Sequence, residues 1–236
     1  MLKLPHNVII VNDFDYINGG AAKVAIDWAR ILKEEGHNIV FFSAVHQEQD
    51  KVDGVRYVCT NQAECLKDPS KLKGALRGLY NKKAYKKFKE LLAEYSPKDT
   101  IVYIHGWIKA LSCSIWSAAK DSGFEVQVTA HDYFLACPNG GFYNYRKNEI
   151  CLYRPMSLKC LLCNCDSRNY AFKLYRCARA YVQSVFVNVM KKTKRVISIS
   201  DFSENILKPF IPQNVEIERI ANPIDKHISE EKIDFS

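Results

Sequence analysis

A histidine and an aspartate, His131 and Asp132, directly follow the run EVQVTA (125–130), which is typical of a buried strand. A carboxylate beside an imidazole can orient the ring, and both groups can exchange protons with a substrate or bond its hydroxyl groups. We therefore take this pair as a candidate catalytic site. The alternative, in which Asp132 caps a helix and His131 bonds to the backbone, stays open at this point.

Two adjacent glycines, Gly19 and Gly20, separate an apolar run (7–12) from a helical pattern (21–35). Glycines at the start of a helix let a ligand approach the backbone, and the free N–H groups there favour a phosphate. The loop lacks the third glycine of a dinucleotide fingerprint. The pair therefore predicts a phosphate contact, with an ordinary strand-to-helix turn as the alternative.

Five cysteines fall in residues 131–168, a segment too long and irregular for an ordinary connection. Cys160 and Cys163 have the spacing of a zinc knuckle, and Cys137 and Cys151 would complete a four-sulfur structural zinc site. We expect no catalytic metal. The alternative is a set of buried thiols without a metal.

A basic pattern with helical periodicity runs over residues 72–95. The net charge of the whole chain is +8, which points to an anionic partner. We predict that this helix lies on an anionic membrane surface, with a solvated face as the alternative. No zinc-finger, helix-turn-helix or RNA-stacking motif is present, so we expect no nucleic acid partner. The lysines predicted to face the membrane are Lys82, Lys83, Lys86 and Lys87.

The elements that position these groups alternate between strand and helix. Apolar runs predict strands near residues 7–12, 38–44, 55–58, 100–105, 125–130, 195–200 and 215–220, with helices near 21–35, 72–95, 108–122 and 201–207. This order predicts an α/β fold, a single doubly wound, Rossmann-like parallel-sheet domain with a long Cys-rich insertion at 131–168. Ligands of such sheets bind beyond the carboxyl ends of the strands. The candidate cleft residues at those ends are Asn18, His105, Trp107, Tyr133 and Ser200, beside the glycine and histidine–aspartate pairs.

The composition is that of an ordinary globular protein, and the length allows one large domain or two small ones. The chain has 236 residues, 47% hydrophobic and 25% charged, which suffices for a sizeable core. We see no membrane-spanning run and no signal peptide, so we expect a cytoplasmic protein, peripheral on the inner face of the membrane. The nine cysteines are an odd number and cannot all pair within the chain.

Several motifs occur in the order seen in one enzyme family. NDFDYINGGAAKVAIDWARILKEEGHNIVFFSA, IVYIHGW, VTAHDYFLACPNGG, VISISDFSENIL and ANPID resemble successive segments of the family 4 retaining glycosyltransferases. These enzymes have two Rossmann-like domains, the GT-B fold. The resemblance covers essentially the whole chain and corresponds to their N-terminal half.

The resemblance implies a function. Gly19 and Gly20 would lie by the diphosphate of a nucleotide-sugar donor, and His131 would lie near the transferred sugar with Asp132 beside it. The domain would bind a glycan or lipid-linked acceptor in surface polysaccharide synthesis. It would span residues 1–222, residues 223–236 would begin an interdomain linker, and the C-terminal donor domain would be missing. We expect this chain alone to be inactive.

Two other functions fit parts of the sequence. One is a non-catalytic, metal-stabilised basic module that binds a membrane surface or nucleic acid. The other is an oxidoreductase that binds a dinucleotide, which the missing third glycine and the absence of an acidic residue after the second strand disfavour.

Overall fold

Seven parallel strands form the centre of the molecule. The computed structural model describes residues 6–223. The strands in the sheet are β1 (Asn7–Val11), β2 (Asn38–Ser43), β3 (Arg56–Cys59), β4 (Thr100–Ile104), β5 (Val126–Ala130), β8 (Thr193–Ser198) and β9 (Glu216–Arg219). Their order is β3-β2-β1-β4-β5-β8-β9. From β1 the chain first adds β2 and β3 on one side and then adds β4, β5, β8 and β9 on the other side. The predicted doubly wound α/β fold is therefore confirmed.

Helices cover both faces of this sheet. They are α1 (Gly20–Glu34), α2 (Lys71–Leu79), α3 (Lys82–Leu92), α4 (Ser114–Asp121), α5 (Leu158–Leu162), α6 (Tyr170–Tyr181) and α7 (Asp201–Leu207). On one face Ile26 and Ala29 of α1 pack against Ile10 of β1. On the other face Phe88 and Trp116, from α3 and α4, belong to the larger core. All five residues of β1 are buried, as expected for a strand covered on both sides.

The basic segment predicted as one helix over 72–95 is two helices, α2 and α3. Tyr80 between them is extended, and the Asn81 side chain caps α3 by accepting from the backbone N–H of Ala84 at 3.0 Å. The Nδ2 amide of Asn81 also donates to the Ala110 carbonyl at 2.8 Å. A buried asparagine with this many backbone partners ends one helix and starts the next.

Helix α2 packs through its glycines and turns its leucines outward. Gly74 and Gly78 are buried, whereas Leu72 and Leu76 are 71% and 58% exposed. A Cβ on Gly74 would lie 2.2 Å from the Cys65 carbonyl oxygen, so the backbones are in direct contact. The apolar face of this helix is thus left open to the surroundings.

The helix predicted over 108–122 begins only at Ser114. The buried carboxylate of Asp13 accepts the backbone N–H groups of Lys109, Ala110 and Leu111 at 2.9, 2.8 and 2.8 Å. These bonds hold the preceding segment in an irregular turn, because its N–H groups point at a side chain from the loop after β1 rather than along a helix axis.

The insertion 131–168 is irregular, as predicted. It contains a short hairpin, whose strands β6 (Tyr143–Asn144) and β7 (Glu149–Ile150) have two residues each, and the short helix α5. The buried carboxylate of Asp166 pairs with Arg176 of α6 at 2.9 Å, and Arg176 also bonds Asn139. Within residues 6–223 no helix is long and apolar enough to cross a membrane.

Candidate functional site

The strand ends meet in one crevice. Its cavity of about 110 Å³ is lined by residues following β1, β4 and β5 and by the first turn of α1. Asn12, Asn18, His105 and Asp132 are among these residues. The structure therefore brings the glycine-bearing loop and the histidine–aspartate pair to the same edge of the sheet.

Two histidines form a pair at the ends of β4 and β5. Nδ1 of His105 lies 3.1 Å from Nε2 of His131, and the rings stack with centroids 5.4 Å apart. His105 is only 2% exposed, and its Nε2 has no hydrogen-bond partner among the described residues. An unpaired buried acceptor is tolerated better than an unpaired N–H. We infer that His105 Nδ1–H donates to His131, which leaves His131 with its proton on Nδ1.

Burial keeps both rings neutral. It lowers the pKa of His105, with the nearby His131 adding to the effect, and it lowers the pKa of His131 to about 4. His46 provides the contrast, because its bond to the Asp15 carboxylate, 2.7 Å away, raises its pKa.

We expect NMR titration of the imidazole resonances to show His131 protonating near pH 4 and His46 above pH 6.5. Folded His131 binds fewer protons than unfolded His131, so its contribution destabilises the fold as the pH falls from 6.5 to about 4. His46 contributes stability below pH 6.5, and that contribution is lost as the pH rises through its raised pKa. A His131 midpoint above pH 6 would contradict this description of the pair.

Asp132 stands between the crevice and solvent. Its carboxylate accepts the backbone N–H of Phe134 at 3.0 Å, so it stabilises a turn and does not cap a helix, which was the alternative prediction. The side chain is reached by solvent, yet partial burial raises its pKa to about 6, while the bond from the Phe134 N–H and the charge of Arg179 oppose this rise. Asp132 therefore combines a local structural bond with a free oxygen at the crevice.

The first turn of α1 presents free backbone donors. Gly19 precedes the helix and has no side chain to cap it, and the first turn holds no acidic residue. No heavy atom lies within 4 Å of where a Cβ on Gly19 or Gly20 would stand. The N–H groups at a helix start lack intrahelical partners, so an anion can reach them here.

The remaining predicted cleft residues divide into two groups. Trp107 lines the crevice, and its indole N–H donates to Gln183 at 3.4 Å. Tyr133 packs edge-on against Phe142, and Ser200 caps α7 by accepting from the Ser203 N–H. Tyr133 and Ser200 thus have local structural contacts.

Sequence reasoning missed two crevice residues, Asn12 and Asp13. Asn12 bonds the Phe14 carbonyl at 2.7 Å, and its side-chain oxygen would lie 2.3 Å from a Cβ on Gly106. Their polar types directly after a buried strand were the available signal, but the hydrogen-bond partners of Asp13 lie about a hundred positions away in sequence.

The four-cysteine zinc site is not supported. Within residues 6–223 no three His, Cys, Asp or Glu side chains are grouped so that they could hold a metal ion. The sulfurs instead face N–H donors. The fully buried Lys173 lies 3.4 Å from Cys160 Sγ, and the Asn144 amide lies 3.7 Å from Cys163 Sγ. All nine cysteines, Cys137 and Cys151 among them, are free thiols.

The four lysines predicted to face a membrane differ in their contacts. Lys82, Lys83 and Lys86 are exposed on α3. Lys87 is half-buried, and its ammonium donates to the Cys59 carbonyl at the end of β3. Lys87 therefore has a structural contact that its sequence position did not reveal.

Solved structures of other proteins share this fold. The seven-stranded domain matches the N-terminal Rossmann-like half of GT-B structures. Medicago truncatula UGT71G1, solved with UDP-glucose, aligns with 94% of this chain at a TM-score of 0.50 and 10% identity. A UDP-glucosyltransferase from Polygonum tinctorium aligns with 94% of it at a TM-score of 0.48 and 15% identity. The chain covers 54% and 53% of these two structures.

One curated protein is similar in sequence. An uncharacterized 42.6 kDa protein in the cps region of Klebsiella pneumoniae is 29% identical over 151 residues. The match covers 58% of this chain and 39% of that protein. No protein-family model matches the sequence. The chain thus spans about half, or less, of the length of the proteins it resembles.

Proposed function

We propose that this domain is the acceptor-side, N-terminal half of a nucleotide-sugar glycosyltransferase. The observation that carries the proposal is the single crevice lined by Asn18 at the start of α1, His105 and Asp132. The first turn of α1 would offer N–H groups to a diphosphate, and His131, whose ring lies 3.1 Å from that of the crevice residue His105, would offer a neutral imidazole to the sugar. The UDP-glucose bound by a protein of the same fold supports this donor class.

The donor would be held mainly by a second Rossmann domain outside this chain. The chain covers 54% of UGT71G1, which leaves a comparable length for such a domain. We propose the retaining mechanism of family 4 and an acceptor used in polysaccharide synthesis at the cytoplasmic face of a membrane. The cps-region relative supports the polysaccharide context.

In this scheme His131 acts through hydrogen bonds rather than through charge. Its Nδ1–H would bond an oxygen of the transferred sugar, and His105 would fix the ring from behind at 3.1 Å. A neutral donor suits a sugar hydroxyl, because the proton stays on the ring while the bond orients the substrate.

The test is transfer by the protein made from its complete reading frame. We expect radiolabel from a nucleotide sugar, with UDP-glucose as the first probe, to enter a glycan or lipid fraction with retained anomeric configuration by NMR. We expect residues 1–236 alone to transfer little or nothing. No incorporation from any nucleotide sugar by folded protein would refute the proposal, and inversion would refute its retaining part.

Two matched variants extend this test to the glycine pair. Gly20→Glu would place a carboxylate at the start of α1, in space free of heavy atoms within 4 Å. We expect it to raise the donor KM about tenfold or more, because the new carboxylate would occupy the anion site at the helix start and repel the negatively charged diphosphate of the donor. Gly20→Gln has the same size without the charge and should change the KM much less.

A further inference from the structure

A second cavity continues from the crevice. It has a volume of about 210 Å³ and shares Ile108, Lys109 and Phe134 with the first. Its other walls come from the 3₁₀ turn Cys65–Lys67 and from α6, and they include Arg168, Phe172, Tyr175, Arg176 and Arg179. The proposed sugar-transfer site therefore opens into a pocket lined by four cationic side chains.

All four of these cations lie against aromatic rings, and the Arg176 guanidinium lies 6.0 Å from the centroid of Phe134. The Arg179 guanidinium lies 4.8 Å from the centroid of Phe134, and that of Arg168 lies 4.3 Å from Phe172. The Lys109 ammonium lies 5.3 Å from Phe14. A ring face holds a cation in place without using its N–H donors for a carboxylate.

Arg179, Arg168 and Lys109 have no carboxylate partner within 4.0 Å in the described part of the chain. The fourth cation, Arg176, is paired with the buried Asp166 at 2.9 Å. The acidic residue in the lining, Glu64, pairs with Lys67 at 2.6 Å. The pocket thus keeps an excess of positive charge beside the candidate catalytic residues, which is the complement of a phosphate group.

An apolar groove continues from this basic pocket. Its volume is about 330 Å³, and it shares Cys65, Leu66, Phe172 and Tyr175 with the basic cavity. Gly74 and Ala75 of α2 and Ala171 of α6 form its other walls with Lys71. The exposed leucines of α2, Leu72 and Leu76, extend the apolar surface beyond the groove.

We propose that the basic pocket and the groove bind the acceptor, and that this acceptor is a lipid carrying a phosphate or diphosphate. The inference rests on the proposed function for the crevice and names its second substrate. The phosphate would contact Arg179 and Arg168, the apolar chain would lie between α2 and α6, and the acceptor end would reach the crevice. Charge complementarity and the order of the three cavities select this ligand over a free glycan.

Binding without any sugar donor tests this inference, with farnesyl diphosphate, farnesol and inorganic diphosphate as probes in calorimetry. We expect farnesyl diphosphate to bind residues 1–236 at least tenfold more tightly than either of the other two. Equal affinity for inorganic diphosphate would mean a free-phosphate site and would overturn the assignment. So would equal affinity for farnesol.

Variants separate the two halves of the ligand. Arg179→Gln, and Arg168→Gln at an exposed position, should each weaken binding of farnesyl diphosphate about tenfold, and should leave farnesol unaffected. Ala171→Asn, at an exposed position in the first turn of α6, adds a polar group without a charge and should weaken farnesyl diphosphate but not inorganic diphosphate. Lys120→Gln, which removes one exposed positive charge on α4, should leave the affinities for farnesyl diphosphate and for inorganic diphosphate unchanged. Circular dichroism identifies any variant that fails to fold.

The outcome is independent of the transfer assay. Absence of sugar transfer would refute the proposed function and leave a measured lipid-phosphate affinity in place. Transfer to a soluble glycan, without binding of farnesyl diphosphate, would overturn this inference alone. Unchanged affinity in both arginine variants would overturn it as well.

Discussion

Replacing His131 with alanine should lower the kcat for sugar transfer by about 10²- to 10³-fold, with little change in the donor KM. The imidazole is held by His105 at 3.1 Å, which fixes the direction of its Nδ1, the inferred donor to the sugar. Removing it would take away the proposed interaction with the reacting sugar, while the proposed diphosphate contacts at α1 would remain. Steady-state kinetics on the protein from the complete reading frame measures both constants.

His6→Ala is the control for this variant. His6 is exposed and immediately precedes β1, at the amino end of the sheet, so losing its ring should leave transfer unchanged. A folded His131→Ala protein with kcat within threefold of the unsubstituted enzyme would remove this histidine from the site. The sugar-transfer proposal would then lack its candidate catalytic residue.

Replacing Asp13 with alanine should destabilise the fold by about 3–5 kcal/mol. Its carboxylate accepts three backbone N–H groups of residues 109–111, and Ala110 and Leu111 are fully buried. Without Asp13 these donors lose their partners in a region that water does not reach. Urea unfolding followed by circular dichroism measures the free-energy difference.

Two further variants sharpen this measurement. Asp13→Asn keeps one acceptor oxygen but turns an NH₂ group toward a backbone donor, so we expect a smaller loss of about 1–3 kcal/mol. Asp53→Ala, at an exposed turn, removes a carboxylate without buried partners and should change stability by no more than about 0.5 kcal/mol. A loss below 1 kcal/mol for Asp13→Ala would show that residues 109–111 hold their turn without it.

The sheet could be predicted because its strands are buried on both faces. Continuous apolar runs such as NVIIV in β1 and NIVFFS in β2 indicate this burial without any knowledge of tertiary contacts. The position of His131 and Asp132 at the carboxyl ends of the strands could be predicted from parallel topology alone. These parts depend on local patterns and on one general rule of α/β architecture.

The errors have a common physical origin in contacts distant along the chain. Helical periodicity continues from α2 into α3, so only the tertiary partners of Asn81 reveal the break. The start of α4 is delayed by Asp13, whose bonds span 96 to 98 positions. The cysteine spacing suggested a metal, yet the buried ammonium of Lys173, which comes from α6, lies beside Cys160.

The neighbouring strands β5 and β8 are separated in sequence by residues 131–192, which contain no other strand of this sheet, whereas the longer interval between β1 and β4 contains β2 and β3. Closing a longer chain segment costs more conformational entropy, and parallel pairing must bear that cost before its contacts form. We therefore infer that β1 to β5 assemble first during folding and that β8 and β9 join late. Until they do, β5 presents an unpaired edge, so the newly made chain is most exposed to misassociation at this strand.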